Sequence, residues 1–446
     1  MFNTQLLQEK WKSVLDHESL PKIKDPLKRA VVSRVLENQK NAIAEERGNN
    51  SVLTEAVGNT TGASIANWDP VLIGLVRRTM ANLIAYDIAG VQPMTMPTGL
   101  IFAMKAQYTS AAGVRGGEAL FDEMDTTHSG TGTHGGDSSS LPGTDANTDG
   151  VDDAFSYGVG MSTSAGELLG EDSNPGAKQM AFSIEKTMVE AKTRALRASY
   201  TSELAQDLRN VHDIDVESEL ANILTTEILG EINREMIRTI NSKAKLGAQT
   251  ANTAVKGIFN LSTDADGRWS VEKFKGLMLQ IEREANVISK ETRRGKGNFI
   301  VCSSDIASAL ASAGILDYSP AIATNINVDD TGNTFAGILN GRTKVFIDPY
   351  AVRDYITVGY RGSNPYDAGI FYAPYVPLTM MRATNPESFN PRIGFKTRYG
   401  MVANPFAGGA GNGGTGTNRA NQYFRIFAVT ELLTSADSVM NVNVTP

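Results

Sequence analysis

Apolar residues recur at three- and four-residue steps over several stretches of this chain, and a helix gathers such positions onto one face. Near the N-terminus Leu7, Trp11, Val14 and Leu15 share a face. A second short helix opens with Asp25 as N-cap and Pro26 in its first position, and pairs Val31 with Val35 and Val32 with Leu36. Another starts at Trp68-Asp69-Pro70, with Leu72, Val76, Met80, Leu83 and Ile84 as its apolar side. Three long helices are predicted further on. The first runs from about Ala177 to Val211, with Ile184, Met188, Ala191, Ala195 and Ala198 as a narrow stripe suited to lying across a sheet. The second steps through Leu220, Leu224, Ile228, Ile232, Met236 and Ile240. The third carries Val271, Phe274, Leu277, Met278, Ile281, Ala285 and Ile288.

Elsewhere the period drops to two, the period of a strand. In Leu100–Tyr108 one face carries Phe102, Met104, Ala106 and Tyr108, and the other Lys105 and Gln107. The run Asn298–Ser303 reads as a buried strand leading to a helix near Asp305–Ala313. Strand-like runs follow near Thr343–Ile347, Ile356–Tyr360, Ile370–Ala373, Phe395–Met401 and Tyr423–Thr430. In the last two, aromatics alternate with Lys396, Arg398 and Arg425, as in strands with one buried face. The pattern as a whole is α+β.

Polar stretches punctuate these elements. From Gly48 to Asn67 the chain turns to Gly, Asn, Ser and Thr, a connector. The helices before it carry mixed charge and make a poor core alone, so residues 1–46 read as an appendage that needs a partner. From about residue 111 to 166 the chain is rich in Gly, Ser, Thr and Asp. That is too long for an ordinary loop and marks an insertion or a mobile lobe.

Length and charge narrow the function. A chain of 446 residues is enough for two or three lobes, and its 41% apolar and 20% charged residues are those of an ordinary globular protein. A net charge of −7 argues against a free nucleic-acid binder, yet suits the wall of a container that must not grip phosphates. The single cysteine, Cys302, sits in the buried-strand run, so no internal disulfide framework exists. The best apolar run, Val71–Val76, stops at Arg77-Arg78, far short of a membrane span. Glu9, Asp16 and Glu18 interrupt any signal-peptide core, so the product is expected to stay in the cytoplasm where it is made.

Candidate chemistry is sparse. Gly408–Gly416 lacks the Lys-Ser/Thr ending of a phosphate loop and reads as a surface loop. Arg293-Arg-Gly-Lys-Gly297 terminates the third long helix, with basic residues at the negative end of its dipole. The histidines, His17, His128, His134 and His212, have no metal-ligand spacing, and no Ser-His-Asp set or Gly-x-Ser-x-Gly turn occurs. Asp145, Asn147, Asp149 and Gly150 match the first half of a Ca²⁺ loop. The twelfth position is Ser156 rather than the bidentate Glu and no flanking helices are visible, so an Asx-rich turn is the competing reading. Leu53, Glu55 and Ala56 lie in the polar connector, where backbone can enter a protease cleft. Glu preceded two residues back by Leu or Ile also occurs at Glu9, Glu45, Glu171 and Glu231, but only at Glu55 is the next residue small.

Longer strings carry a resemblance. Val189–His212, Glu227–Glu235, Gly297–Ile300, Asp367–Val376, Gly394-Phe-Lys-Thr-Arg-Tyr-Gly400 and Asn404–Ala407 together span most of the chain in order. They closely resemble the major capsid proteins of T-even-type contractile-tailed phages and their cyanophage relatives. The resemblance implies a Hong Kong 97-type capsid fold, divided as follows. Residues 1–55 would be a cleaved helical propeptide, 56–90 an N-terminal arm, and 91–175 an E-loop with its insertion. Residues 176–212 would be the spine helix of a peripheral domain, 213–348 an axial domain, and 349–446 the return strands of the peripheral domain. It implies a structural subunit without cofactor or bound metal, forming homo-hexamers that tile an icosahedral head around double-stranded DNA. A prohead protease would cut between Glu55 and Ala56, with Leu53 as the upstream determinant. The implied partners are neighbouring capsomers, vertex, portal, scaffold and decoration proteins, and a folding chaperone. The expected location is the virion capsid. The family's larger E-loop insertion is reduced here, so its carbohydrate-binding-like fold is not carried over. Two alternatives stand beside this reading: the paralogous pentameric vertex protein, and a secreted hydrolase or adhesin with a Ca²⁺ loop. The absence of a signal peptide and of a catalytic set counts against the second.

Overall fold

A computed structural model describes residues 4–16, 23, 25–50, 83–109, 115–119, 124–132, 157–169, 177–212, 215–248, 256–265, 267, 269–314, 316–318, 334–385, 390–404, 407 and 421–432. The chain divides into two compact units: Met1–Ile101 with Thr187–Pro446, and Phe102–Lys186. In chain order the helices are α1 (Thr4–Lys10), α2 (Lys12–Leu15), α3 (Pro26–Asn50), α4 (Ala85–Ile88), α5 (Thr163–Glu167), α6 (Ser202–His212), α7 (Val216–Lys243), α8 (Ser270–Thr292) and α9 (Ser304–Ser312). The strands are β1 (Gly90–Val91), β2 (Thr98–Thr109), β3 (Arg115–Glu118), β4 (Gln179–Glu190), β5 (Lys192–Ser199), β6 (Ala244–Leu246), β7 (Ile258–Asn260) and β8 (Phe299–Ser303). They continue with β9 (Leu316–Tyr318), β10 (Thr334–Leu339), β11 (Thr343–Asp348), β12 (Tyr355–Gly359), β13 (Ile370–Thr384), β14 (Pro391–Ala403) and β15 (Asn421–Thr430).

The first unit holds two sheets. One runs β1-β13-β14-β5, with β1 parallel to β13 and the rest antiparallel. The other runs β6-β15-β12-β8-β11-β10-β9, with β7 also paired to β15. All five residues of β8 are buried, as a strand covered on both faces requires. The first core joins α7 to the four-stranded sheet, through Ile228, Ile232, Met236 and Ile240 against Ile393, Phe395 and Tyr399. The second packs α8 and α9 on the larger sheet, with Leu277, Ile281 and Ile288 near Ile300, Val345 and Phe427. The three-stranded sheet is ordered β3-β2-β4.

Local signals placed several ends. The Asp25 side chain accepts the Leu27 amide at 2.9 Å at the start of α3, as an N-cap does. Helix α8 stops with Arg293 in the left-handed region (φ 49°), so the expected termination holds, with an arginine taking the place glycine usually fills.

The helix expected over 177–211 is overturned. Residues 179–190 and 192–199 are strands, and only 202–212 is helical. Ile184 and Met188 fit a four-residue step, but Met180, Phe182, Ile184 and Met188 also fit a two-residue step. Pairing decided between them: β5 lies antiparallel on β14, with Leu196 opposite Phe395 and Arg194 opposite Thr397. The spine helix assigned to 176–212 is therefore absent there, and the longest helix among the described residues is α7, inside the stretch assigned to the axial domain. Of the return strands, β13 and β14 join the four-stranded sheet, while β12 and β15 join β8 and β11. An alternating strand pattern records which face is buried, not which sheet buries it.

Candidate functional site

Several of the first unit's polar ties meet on helix α7. Its helical spacing sends Ile228, Leu229, Ile232, Met236, Ile237 and Ile240 into the core and leaves a flank of Glu231, Arg234, Glu235 and Arg238. Toward the four-stranded sheet, Arg194 of β5 donates to Glu231 Oε2 (2.7 Å) and Glu235 Oε2 (2.6 Å), and its Nε donates to the Tyr399 hydroxyl (2.5 Å). Tyr399 in turn donates to Glu235 Oε2 at 2.5 Å. Burial and then the Glu235 carboxylate push the Tyr399 hydroxyl well above its usual range. Toward the larger sheet, Arg234 donates to Asp348 Oδ2 (2.6 Å), whose side chain is fully buried and also accepts from the Tyr355 hydroxyl (2.6 Å) and the Tyr350 amide (3.1 Å). Thr357 donates to Asn241 Oδ1 at 2.8 Å, and Asn233 Oδ1 accepts the Ile84 amide at 3.2 Å. The groove of about 930 Å³ beside this flank is lined by Arg194, Glu231, Arg234, Glu235, Arg238 and Tyr350. It brings together carboxylates and guanidiniums, among them the ion pairs of Arg194 with Glu231 and Glu235.

A second charged knot stiffens the larger sheet. Arg425 of β15 pairs with Glu284 (3.5 Å) and Glu291 of α8, Glu284 also accepts the Ala248 amide at 2.7 Å and the Gln280 amide group at 2.8 Å, and Lys245 reaches Glu291 at 3.1 Å. A buried charge with several hydrogen-bond partners fixes geometry more than it adds stability.

The residues singled out by sequence fare differently. Leu53, Glu55 and Ala56, and Asp145, Asn147 and Asp149, lie outside the described residues. So do His17, His134 and the Gly408–Gly416 run. His128 sits beside the Tyr108 ring at 4.5 Å between centroids, with Nε2 3.0 Å from the Gln179 carbonyl. Among the described residues no cluster of His, Cys, Asp and Glu could hold a metal ion, and no helix is long and apolar enough to cross a membrane. Cys302 is buried as expected, and burial pushes its thiol up to about 12, so it is no nucleophile.

Sequence reasoning missed the open faces. Along β4, Met180, Phe182 and Ile184 point outward, 56%, 68% and 59% exposed. The signal was their two-residue spacing. Helix α6 buries none of its residues, and Leu204 and Val211 are exposed on it. An apolar strand face left open in water is the mark of a surface awaiting a protein neighbour.

The family model described as "Major capsid protein Gp23" matches residues 65–429. The major capsid protein of Serratia phage KSP90 is 41% identical over 412 residues, covering 90% of this chain and 91% of the relative. That of Enterobacteria phage T4 is 38% identical, covering 90% and 92%. The T4 capsid vertex protein is only 28% identical and covers 53% of this chain and 56% of its own, so the vertex reading is not favoured. Among solved structures, the capsid of Myoviridae phage XM1 aligns with 78% of this chain and 92% of that one, at 9% identity and a TM-score of 0.37. The chain belongs to the Gp23 major capsid protein family and is a structural subunit of the phage capsid, not an enzyme.

Proposed function

We propose that copies of this chain form hexameric capsomers that tile an icosahedral head around double-stranded DNA, and that maturation removes the N-terminal 55 residues. The observation that carries the assembly half is the outward Met180-Phe182-Ile184 stripe of β4. An isolated chain leaves it in water, while a neighbouring copy removes it, and repetition over a symmetric shell multiplies a modest contact many times. In the Hong Kong 97-type arrangement, β2, β3 and β4 are the E-loop, α7 is the spine helix, β1-β13-β14-β5 is the peripheral sheet, and the larger sheet with α8 and α9 is the axial domain. Residues 56–90 are the N-terminal arm.

The maturation half rests on Leu53, Glu55 and Ala56 matching the specificity that the resemblance implies for the prohead protease. The cut would leave 391 residues and shed nine basic and eight acidic side chains, moving the net charge from −7 to −8. Cleaving a covalent link makes the step irreversible. Scaffold, portal, vertex and decoration proteins are the remaining partners of such a shell, assembled in the bacterial cytoplasm. A folding chaperone suits a chain whose sheets join residues as distant as 90 and 371.

The test is the intact mass and N-terminal sequence of the chain in purified heads. The expected result is an abundant head protein beginning at Ala56. An abundant head protein beginning at Met1 would refute the cut, and a chain scarce in heads would refute the shell role.

A further inference from the structure

The turn joining β11 to β12, residues 349–354, is pinned at both ends. At its start Asp348 Oδ1 accepts the Tyr350 amide at 3.1 Å, and the Asp348 carbonyl accepts the Ala351 amide at 3.4 Å. At its end the Asp354 carbonyl accepts the Val429 amide at 2.9 Å, and the Asp354 carboxylate accepts the Ser303 hydroxyl at 2.6 Å. Between these anchors Val352 stands 94% exposed, Tyr350 is 59% exposed, and Arg353 is exposed beside them. One exposed valine is ordinary, but this one tops a fixed turn, so presenting it to a neighbour costs little ordering entropy.

The α7 groove lies beside that turn, because Tyr350 belongs to both: its ring centroid sits 5.7 Å from the Arg234 guanidinium. The groove follows α7 from Thr226 to Ser242, about 24 Å of helix. Gly230 lines it without contributing a side chain. Glycine inside a helix weakens it relative to alanine, and the room it leaves admits a closely approaching chain. Next to Thr226 the Glu227 side chain is exposed. Among the described residues neither Glu227 nor Arg353 has an ion-pair partner. One chain thus offers an apolar knob flanked by a free cation and, beside it, a groove whose end carries a free carboxylate.

We infer that two copies of this chain meet across a two-fold axis, each seating its 349–353 turn in the α7 groove of the other, with Val352 over Gly230 and Arg353 paired to Glu227. A two-fold contact is self-complementary, so a surface that carries knob and socket side by side satisfies it twice at once. The opposite charges of Arg353 and Glu227 set the register of the contact. The inference rests on the shell reading above, to which it adds one named contact between copies.

Cysteine cross-linking of full-length chains in solution tests it without requiring a finished shell. Val352→Cys chains mixed with Thr226→Cys chains at about 100 µM and oxidised should give a covalent heterodimer, read by mass under non-reducing conditions. Placing the two cysteines on different chains removes any bridge within one chain, and Cys302 is buried. Val352→Cys mixed with Lys275→Cys, exposed on α8, should give no heterodimer. Adding Arg353→Glu to the first chain alone, or Glu227→Arg to the second alone, should cut the yield about tenfold. Both reversals together, one in each chain, should restore it, which residues acting only within their own fold would not do. A yield no higher than that of the Lys275→Cys mixture, or reversals without rescue, would overturn the inference. A chain scarce in heads would refute the shell reading, whereas the cross-link, read in solution, decides the contact by itself.

Discussion

The tie between Arg234 and Asp348 carries a prediction that can be worked through. Asp348 closes β11 with a side chain that has no exposure, while the Arg234 side chain is 29% exposed. Removing the arginine strands a buried carboxylate that retains two donors, the Tyr355 hydroxyl and the Tyr350 amide. Breaking a buried pair from one side costs about 3–5 kcal/mol, and the two surviving donors place Arg234→Ala near 3 kcal/mol. Removing the carboxylate instead lets Arg234 turn toward the solvent-filled groove, but leaves the Tyr355 hydroxyl without its acceptor, so Asp348→Ala should cost about 2–3 kcal/mol. The double variant has no charge left to strand. Its loss should therefore be close to that of Asp348→Ala alone, which makes the coupling energy about 3 kcal/mol, the whole cost assigned to Arg234→Ala. The assay is urea unfolding of the unassembled chain, followed by circular dichroism and checked by hydrogen exchange in β11 and α7. Additive single losses, with coupling below about 0.5 kcal/mol, would refute the claim that α7 holds the larger sheet through this pair.

Other outcomes follow from the same structure. Phe182→Asp changes a side chain 68% exposed in the isolated chain, so folding should be unaffected within about 0.5 kcal/mol while assembly into shells fails; sedimentation and thermal unfolding together read both, and shells of normal yield would count against β4 as a contact. Burial raises the hydroxyl pKa of Tyr86, Tyr355, Tyr372, Tyr399 and Tyr423 in the folded chain. A raised folded-state pKa gives stability that is complete below the unfolded value near 10 and is lost as pH rises beyond it. Unfolding free energy should thus begin to fall near pH 9, where the thiol of Cys302 ionises only in the unfolded chain, and fall more steeply above about pH 10, by up to about 1.4 kcal/mol per pH unit for each raised group, a slope that alkaline urea titrations measure. Cys302, with its thiol pushed up to about 12, should resist iodoacetamide at pH 8 in the native chain and react fully in urea, as mass spectrometry would record. Gly359→Ala would drive a methyl into the Phe299 ring and should cost about 1–3 kcal/mol, visible as a lowered urea midpoint.

Hydrophobic spacing and end signals were enough for the elements that announce themselves locally. Helices α7 and α8 followed from four-residue steps, the start of α3 from Asp25 and Pro26, and β8 with its buried Cys302 from an unbroken apolar run. The long family-like strings likewise pointed to a capsid subunit, and the matched family agrees. These are properties of a residue and its near neighbours, and the chain states them directly.

What only the tertiary structure decided depends on partners far away in sequence. Residues 179–199 carry spacing compatible with either a helix or strands, and β14, two hundred residues on, supplied the pairing that made 192–199 a strand. The division of β12 and β15 from β13 and β14 could not be read, because an alternating pattern names a buried face and not its sheet. The ties at α7 were hidden for the same reason. Arg194, Glu235 and Tyr399 are ordinary surface-compatible residues until folding sets them within hydrogen-bonding distance. The N-terminal helices looked like an appendage because their apolar stripe is too small for a core of its own; folding gave that stripe a groove in the body, and the groove is built from residues that lie after the connector.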